Sequence, residues 1–130
     1  MKYSLHDTVL NKIAFDRSGI TLHFKNGVYL LDNDGRETEL SGPCRIAVTI
    51  NKFNSMNKYE HITVTKTAKS KIDEIDIERF IKMLDENSFR IDSDYYSFFG
   101  SSILLKGYIG KYAIEFIITE IEKAEYLFDN

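Results

Sequence analysis

The chain has 130 residues, a formal net charge of −3, 43% hydrophobic residues and one cysteine, Cys44. The length is typical of one domain, so we expect residues 1–130 to form a single domain. The lone cysteine excludes an intramolecular disulfide, and the negative charge argues against general nucleic-acid binding. Because no apolar run is long enough for a signal peptide or a membrane span, we expect a cytoplasmic protein that binds no membrane.

The first half of the chain favours antiparallel strands. Ile20–Lys25 alternates between apolar and polar residues, which is typical of a half-buried strand. Asn26-Gly27 follows and predicts a β-hairpin with Val28–Leu31 as the return strand. Cys44–Ile50 places its apolar residues on one face, and Glu60–Thr67 is a further strand candidate rich in β-branched residues.

The apolar period changes after Lys71. Ile77, Phe80 and Leu84 recur at helical spacing, which predicts one amphipathic helix near residues 74–86. The chain then returns to strands, with Ser102–Tyr108 and Lys111–Ile121 forming a hairpin about Gly110. The second of these is apolar on both faces, which predicts a central strand with the helix on one side. The pattern indicates an α+β fold, mostly antiparallel, with about seven or eight strands.

Charge is unevenly distributed along the chain. Residues 1–70 contain ten Lys and Arg against seven Asp and Glu, whereas residues 71–130 contain seven against thirteen. Glu74 and Glu78 belong to a run of acidic residues on the predicted helix. Such a run is usually a solvated face, but it can also steer a basic partner towards the protein.

An aromatic and acidic segment follows the helix and is interpreted as a loop over residues 92–100. Tyrosines beside carboxylates are typical of binding hot spots, and functional residues are often found in loops. The alternative is that the rings plug one end of the sheet while the aspartates stay solvated. On the first interpretation, the partner-binding residues are Asp92, Asp94, Tyr95, Tyr96, Phe98, Glu74 and Glu78.

The reactive side chains do not form a recognisable catalytic or metal-binding pattern. Cys44 lies on the apolar face of its strand, which predicts a buried, inert thiol. His23 and His61 fall on polar strand faces and are interpreted as surface histidines. His6 and Asp7 are adjacent and would point in opposite directions in an extended segment. We therefore predict no catalytic residue, no metal ligand and no cofactor, although the sequence alone does not decide whether the protein is an enzyme.

Three segments carry a family resemblance: Leu5-His6-Asp7, Ile13-Ala14-Phe15 and Ile20–Phe24. They resemble the start of small intracellular bacterial domains, some of which are immunity-like proteins of contact-dependent or polymorphic toxin systems. The resemblance covers the first quarter of the chain. It implies a stoichiometric protein binder that blocks a toxin and has no catalytic activity.

The leading hypothesis is a non-catalytic protein-binding domain, immunity-like, that presents the acidic helix and the aromatic loop to a basic partner. A second hypothesis is a small-molecule or metal-binding domain whose site gathers His6, His23 or His61 in a sheet cavity. A third is a structural subunit that forms a homo-oligomer through an unpaired strand edge.

Overall fold

A computed structural model describes residues 2–54, 56, 58–97 and 100–129. These residues form thirteen strands and two helices. The elements are β1 (Tyr3–Ser4), β2 (Thr8–Leu10), β3 (Lys12–Phe15), β4 (Gly19–Phe24), β5 (Tyr29–Leu31), β6 (Glu37–Leu40), β7 (Cys44–Ile50), α1 (Lys58–His61), β8 (Ile62–Ala68), β9 (Lys71–Ile75), α2 (Ile77–Glu86), β10 (Phe89–Tyr96), β11 (Ile103–Ile109), β12 (Tyr112–Ile118) and β13 (Ile121–Phe128). The α+β class is confirmed, but the predicted strand count is too low because several strands are short.

The strands form three antiparallel sheets. The largest has six strands in the order β2-β10-β11-β12-β8-β9, and the second has four in the order β13-β7-β4-β3. A small sheet has the order β1-β5-β6. The hairpin about Gly110 joins β11 to β12 as predicted, and β12 lies in the interior of the six-stranded sheet between β11 and β8.

One hydrophobic core unites the two larger sheets and α2. Phe80 of α2 is fully buried and stacks on Phe116 of β12, with ring centroids 5.3 Å apart. Phe80 also meets Phe89 of β10 edge-on, at 5.7 Å. The helix therefore covers one face of the six-stranded sheet, the inner face, as the apolar spacing of its sequence predicts.

The helix begins later than its sequence suggests. Asp76 caps it by accepting a hydrogen bond from the backbone N–H of Arg79 at 2.9 Å, and Ile77 is the first helical residue. Glu74 belongs to β9, where it pairs with Thr65 of β8. The prediction that Glu74 lies on the helix is therefore wrong, because the residues before Asp76 form β9 and pair with β8.

The predicted hairpin at Asn26-Gly27 is also wrong. The turn exists, since the Gly27 N–H donates to the carbonyl of Phe24 at 3.0 Å and Gly27 has a φ of +90°. However, β4 pairs with β3 and β7, whereas β5 pairs with β1 and β6. A Cβ on Gly27 would lie 2.2 Å from the Gly42 carbonyl oxygen, so the turn is held against another backbone segment and β5 joins a different sheet.

Among the described residues, no helix has the length and apolarity needed to cross a membrane. The longest, α2, has 10 residues.

Candidate functional site

The segment interpreted as an aromatic loop is largely a strand. Asp92 to Tyr96 belong to β10, and a bulge between Ile91 and Ser93 leaves Asp92 without a partner in β11. Side chains alternate along a strand, so Tyr95 lies on one face and its neighbours Asp94 and Tyr96 lie on the other. The predicted binding residues therefore do not form one surface. Phe98 lies outside the described residues.

Asp94 and Tyr96 face inwards and form a polar cluster. One Asp94 oxygen, Oδ2, accepts hydrogen bonds from the Leu5 N–H at 3.1 Å and the Tyr96 hydroxyl at 2.8 Å. Tyr96 also hydrogen-bonds to Tyr126, and the ring of Tyr126 stacks on Tyr3 with centroids 4.5 Å apart. This half of the segment resembles the alternative interpretation, in which aromatic rings plug the end of a sheet.

The environment of this cluster keeps its hydroxyls protonated. Burial raises the pKa of Tyr126 to about 12, while the hydrogen bond with Tyr96 acts in the opposite direction. Burial is also the main cause of the raised pKa of Tyr96, and the proximity of Tyr126 and Asp94 raises it further. The hydroxyls of Tyr96 and Tyr126 therefore remain protonated near neutral pH.

Alkaline pH should destabilise the protein through Tyr126. Between pH ~10 and pH ~12 the unfolded tyrosine releases its proton while the folded one retains it, so the stabilisation present below pH ~10 is lost as pH rises. The loss attributable to Tyr126 should approach about 2–3 kcal/mol at pH ~12. Urea unfolding at both pH values should show a smaller alkaline loss in Tyr126→Phe than in the wild type. Tyr95→Phe, which changes an exposed ring, should leave the loss unchanged, and equal losses in all three proteins would refute the assignment.

The opposite side of the six-stranded sheet forms a continuous surface, here called the outer face. Residues that pair directly across antiparallel strands project to the same side, so the strand register defines its membership. It comprises Val9, Thr63, Thr65, Thr67, Ile72, Glu74, Arg90, Ser93, Tyr95, Leu104, Lys106, Tyr108, Ala113, Glu115 and Ile117. Two of the predicted binding residues, Tyr95 and Glu74, belong to it.

Large apolar side chains are exposed on the outer face. Ile72, Tyr95 and Tyr108 are 69%, 53% and 48% exposed, and they are three of the five exposed large hydrophobic residues in the described part of the chain. Leu104 pairs with both Tyr95 and Ile117, and this row runs across three neighbouring strands. A soluble protein tolerates single apolar residues at its surface, but a contiguous group indicates an interaction site.

The middle of the outer face is polar. Lys106 and Glu115 pair directly across β11 and β12, and Nζ lies 3.3 Å from Oε1. Asp92, at the bulge in β10, joins Lys106, Tyr108 and Glu115 in lining an open depression of about 340 Å³. The face thus combines apolar rows with a charged centre, an arrangement that suits contact with another protein.

Glu78 lies on the opposite side of the molecule from this face. It is in the first turn of α2, where a carboxylate interacts favourably with the helix dipole. Because α2 packs against the inner face through Phe80 and Phe116, the acidic helix and the outer face cannot contact one flat surface together.

The three histidines lie in different parts of the fold: His6 in the turn between β1 and β2, His23 on β4 and His61 on α1. His6 is exposed, with Nδ1 3.1 Å from Glu37 Oε1 and Nε2 3.6 Å from Asp7 Oδ2. Asp7 has a φ of +58°, so the chain turns there, and the prediction that adjacent His6 and Asp7 point apart is wrong. His23 lies on β4 opposite Lys12 and Arg45; burial, followed by these two cations, lowers its pKa.

His61 is buried, so its interpretation as a surface histidine is wrong. It is the last residue of α1, only 4% exposed, and its ring lies 6.2 Å from that of Phe53. The short helix turns the imidazole into the core just before β8 begins. Within the described ranges, no three His, Cys, Asp or Glu side chains are grouped so that they could hold a metal ion.

Cys44 is buried on β7, as predicted from its apolar strand face. Burial raises the pKa of its thiol to about 11, with a further contribution from Asp129. A thiol with a raised pKa is a weak nucleophile near neutral pH.

Comparisons with protein-family models, curated proteins and solved structures find no match. The choice of the outer face as the candidate binding surface therefore depends on the geometry of this chain alone. Sequence reasoning missed Ile72, Leu104, Tyr108 and Ile117 as candidate binding residues. The available signal was β12, whose apolar residues occur on both faces, while α2 packs against the inner one.

Proposed function

We propose that this protein is a non-catalytic protein-binding domain that takes its partner on the outer face of the six-stranded sheet. One observation carries the proposal. On one side of the sheet, exposed Tyr95 lies beside the paired Leu104 and Ile117, and exposed Tyr108 lies four residues further along β11 beside Ala113; α2 lies on the other side. Exposed tyrosines on a rigid scaffold supply large contact areas at low entropic cost.

The charge of the region favours a basic partner. The charged residues of this region are Asp92, Glu74 and Glu115 against Arg90 and Lys106, and the three carboxylates lie in or beside the polar centre of the outer face. Four of the six strands of this sheet come from residues 71–130, which carry seven Lys and Arg against thirteen Asp and Glu. In this arrangement Tyr95 and Tyr108, which the partner would cover, provide the affinity, while the carboxylates mainly accelerate association.

An immunity-like role is consistent with this surface. The resemblance of the first quarter of the chain to immunity-like domains implies a binder that blocks a toxin stoichiometrically. A flat, rigid face with aromatic anchors can cover part of another protein without chemistry of its own. The partner proposed here is therefore a folded protein with a basic contact surface.

The test is affinity capture from lysate of the native cell, with the wild type compared with Tyr95→Ala/Tyr108→Ala. A basic protein should be retained in stoichiometric amount by the wild type. Because two hot-spot side chains are removed, the double variant should bind it at least about 100-fold more weakly. Titration calorimetry with the identified partner measures the difference, and the association rate should fall as salt concentration rises.

Leu40→Ala/Met56→Ala is the matched control, since it removes two exposed apolar side chains outside the outer face. This control should bind as the wild type does, and circular dichroism should show that both variants are folded. Failure of the wild type to retain any basic protein, or equal retention by the Tyr95→Ala/Tyr108→Ala variant, would rule out the proposal.

A further inference from the structure

The four-stranded sheet ends in a long edge strand, β13. It has eight residues, more than any other edge strand in the described part of the chain. Residues 122–125 are all exposed. Long exposed edges are uncommon in isolated proteins because their free backbone groups readily pair with another strand.

The register identifies the unpaired backbone groups. The Asp129 N–H donates to the Pro43 carbonyl at 3.1 Å, which makes these residues a hydrogen-bonded pair. Counting back in steps of two, Leu127, Glu125 and Lys123 bond to β7. The N–H and C=O of Ala124 and Tyr126 therefore point away from β7, and they have no hydrogen-bond partner among the described residues.

The edge is open over a limited stretch. At its start, the Ile121 N–H donates to the Ser101 carbonyl at 2.8 Å. At its end, the Tyr3 ring packs on Tyr126 and Phe128, with centroids 4.5 and 5.2 Å away. Between these points Ala124 borders a cavity of about 170 Å³, which Tyr96 and Ile103 of the six-stranded sheet also line.

The charges along this stretch are complementary to a second copy of the same strand. If two β13 strands pair antiparallel about a twofold axis at Ala124, Lys123 of each copy lies opposite Glu125 of the other. Glu122 then lies opposite Tyr126, so no like charges face each other. Opposite charges directly across an antiparallel pair are stabilising, whereas like charges are destabilising.

We propose that the protein forms a symmetric homodimer through β13, with Ala124 at the twofold axis. The pairing joins the two four-stranded sheets into one continuous sheet, with reciprocal hydrogen bonds between the backbone groups of the two Ala124 residues at its centre. The reciprocal Lys123–Glu125 pairs fix its register, as expected for an isologous interface. The outer faces of both six-stranded sheets remain free, so the dimer would present two partner-binding surfaces.

The test is sedimentation velocity and light scattering over a wide concentration range. The wild type should reach twice the 15.1 kDa mass of the chain. Lys123→Glu places carboxylates opposite carboxylates at two positions and should weaken dimerisation about tenfold or more. Glu125→Lys should do the same with ammonium groups, and the double exchange Lys123→Glu/Glu125→Lys should restore the dimer because the pairs reform with reversed sign.

Two further variants locate the interface. Ala124→Pro removes an N–H that faces away from β7, so it should abolish the dimer while the melting curve still shows a folded protein. Lys71→Glu makes the same charge change at β9, an edge strand of the six-stranded sheet, and should leave the dimer intact. A wild type that stays monomeric throughout would overturn the proposal, as would a dimer that survives Ala124→Pro or one that Lys71→Glu dissociates. These outcomes are independent of Tyr95 and Tyr108, so they do not bear on partner binding at the outer face.

Discussion

Replacing Phe80 by alanine is expected to lower the free energy of unfolding by about 3–5 kcal/mol. The Phe80 side chain is completely buried between Phe116 and Phe89, with ring centroids 5.3 and 5.7 Å away. The variant loses the transfer free energy of a large ring and leaves a cavity that the rigid sheet cannot close. Because this ring joins α2 to the six-stranded sheet, the loss should affect the whole domain.

Urea unfolding followed by circular dichroism measures this difference. The control is Phe53→Ala, since Phe53 is half-buried and its ring lies 6.2 Å from that of Phe15 at the periphery of the core. Phe53→Ala should lower the free energy of unfolding by less than half as much as Phe80→Ala does. Similar costs for the two substitutions would mean that the contacts of Phe80 do not hold the helix on the sheet.

Local periodicity was sufficient to predict α2 and its orientation. Ile77, Phe80 and Leu84 repeat at helical spacing, and all three are buried. The start of the helix was predicted too early because Glu74 and Ile75 continue the same polar and apolar sequence, yet they pair with β8. A boundary set by a cap such as Asp76 competes with strand pairing that local sequence does not reveal.

Pairing between distant strands could not be predicted from local signals. Gly27 does form a turn, but β5 pairs with β1, which is remote in sequence, and with β6, which follows it along the chain. The bulge beside Asp92 had a larger consequence for the site. It shifts the alternation of β10 by one residue, so that the carboxylate of Asp94 faces inwards and Tyr95 faces outwards.

The candidate site was therefore predicted only in part. Tyr95 and Glu74 lie on the outer face, and Asp92 borders its central depression. Asp94 and Tyr96 instead form hydrogen bonds within the fold. The composition of the segment does not distinguish these inward-facing residues from the exposed Tyr95. The strongest sequence signal for a binding surface was the apolar pattern on both faces of β12. A strand of this kind is expected to be covered on both sides, and α2 covers the inner side.

Replacing Gly107 by alanine is expected to destabilise the protein by about 3 kcal/mol or more, because the added methyl group has no space. A Cβ at Gly107 would lie 1.9 Å from the Arg90 carbonyl oxygen and 2.9 Å from the Ile91 Cα. All the nearest atoms belong to the backbone of β10, so relief requires separation of two neighbouring strands of the six-stranded sheet. Lys106 and Tyr108 flank this position, so the substitution should also distort the outer face and weaken partner binding.

The matched control is Gly35→Ala. Gly35 has a φ of +77° but no atom within 4 Å of an added Cβ, so its cost should come from the left-handed backbone alone and be about 1 kcal/mol. Gly19→Ala provides an independent check in the four-stranded sheet, since a Cβ there would lie 2.0 Å from the Val48 carbonyl oxygen. Chemical denaturation should therefore rank Gly107→Ala and Gly19→Ala as far more costly than Gly35→Ala. If all three variants unfold at the same urea concentration, close approach between strands is not the reason that glycine occupies positions 107 and 19.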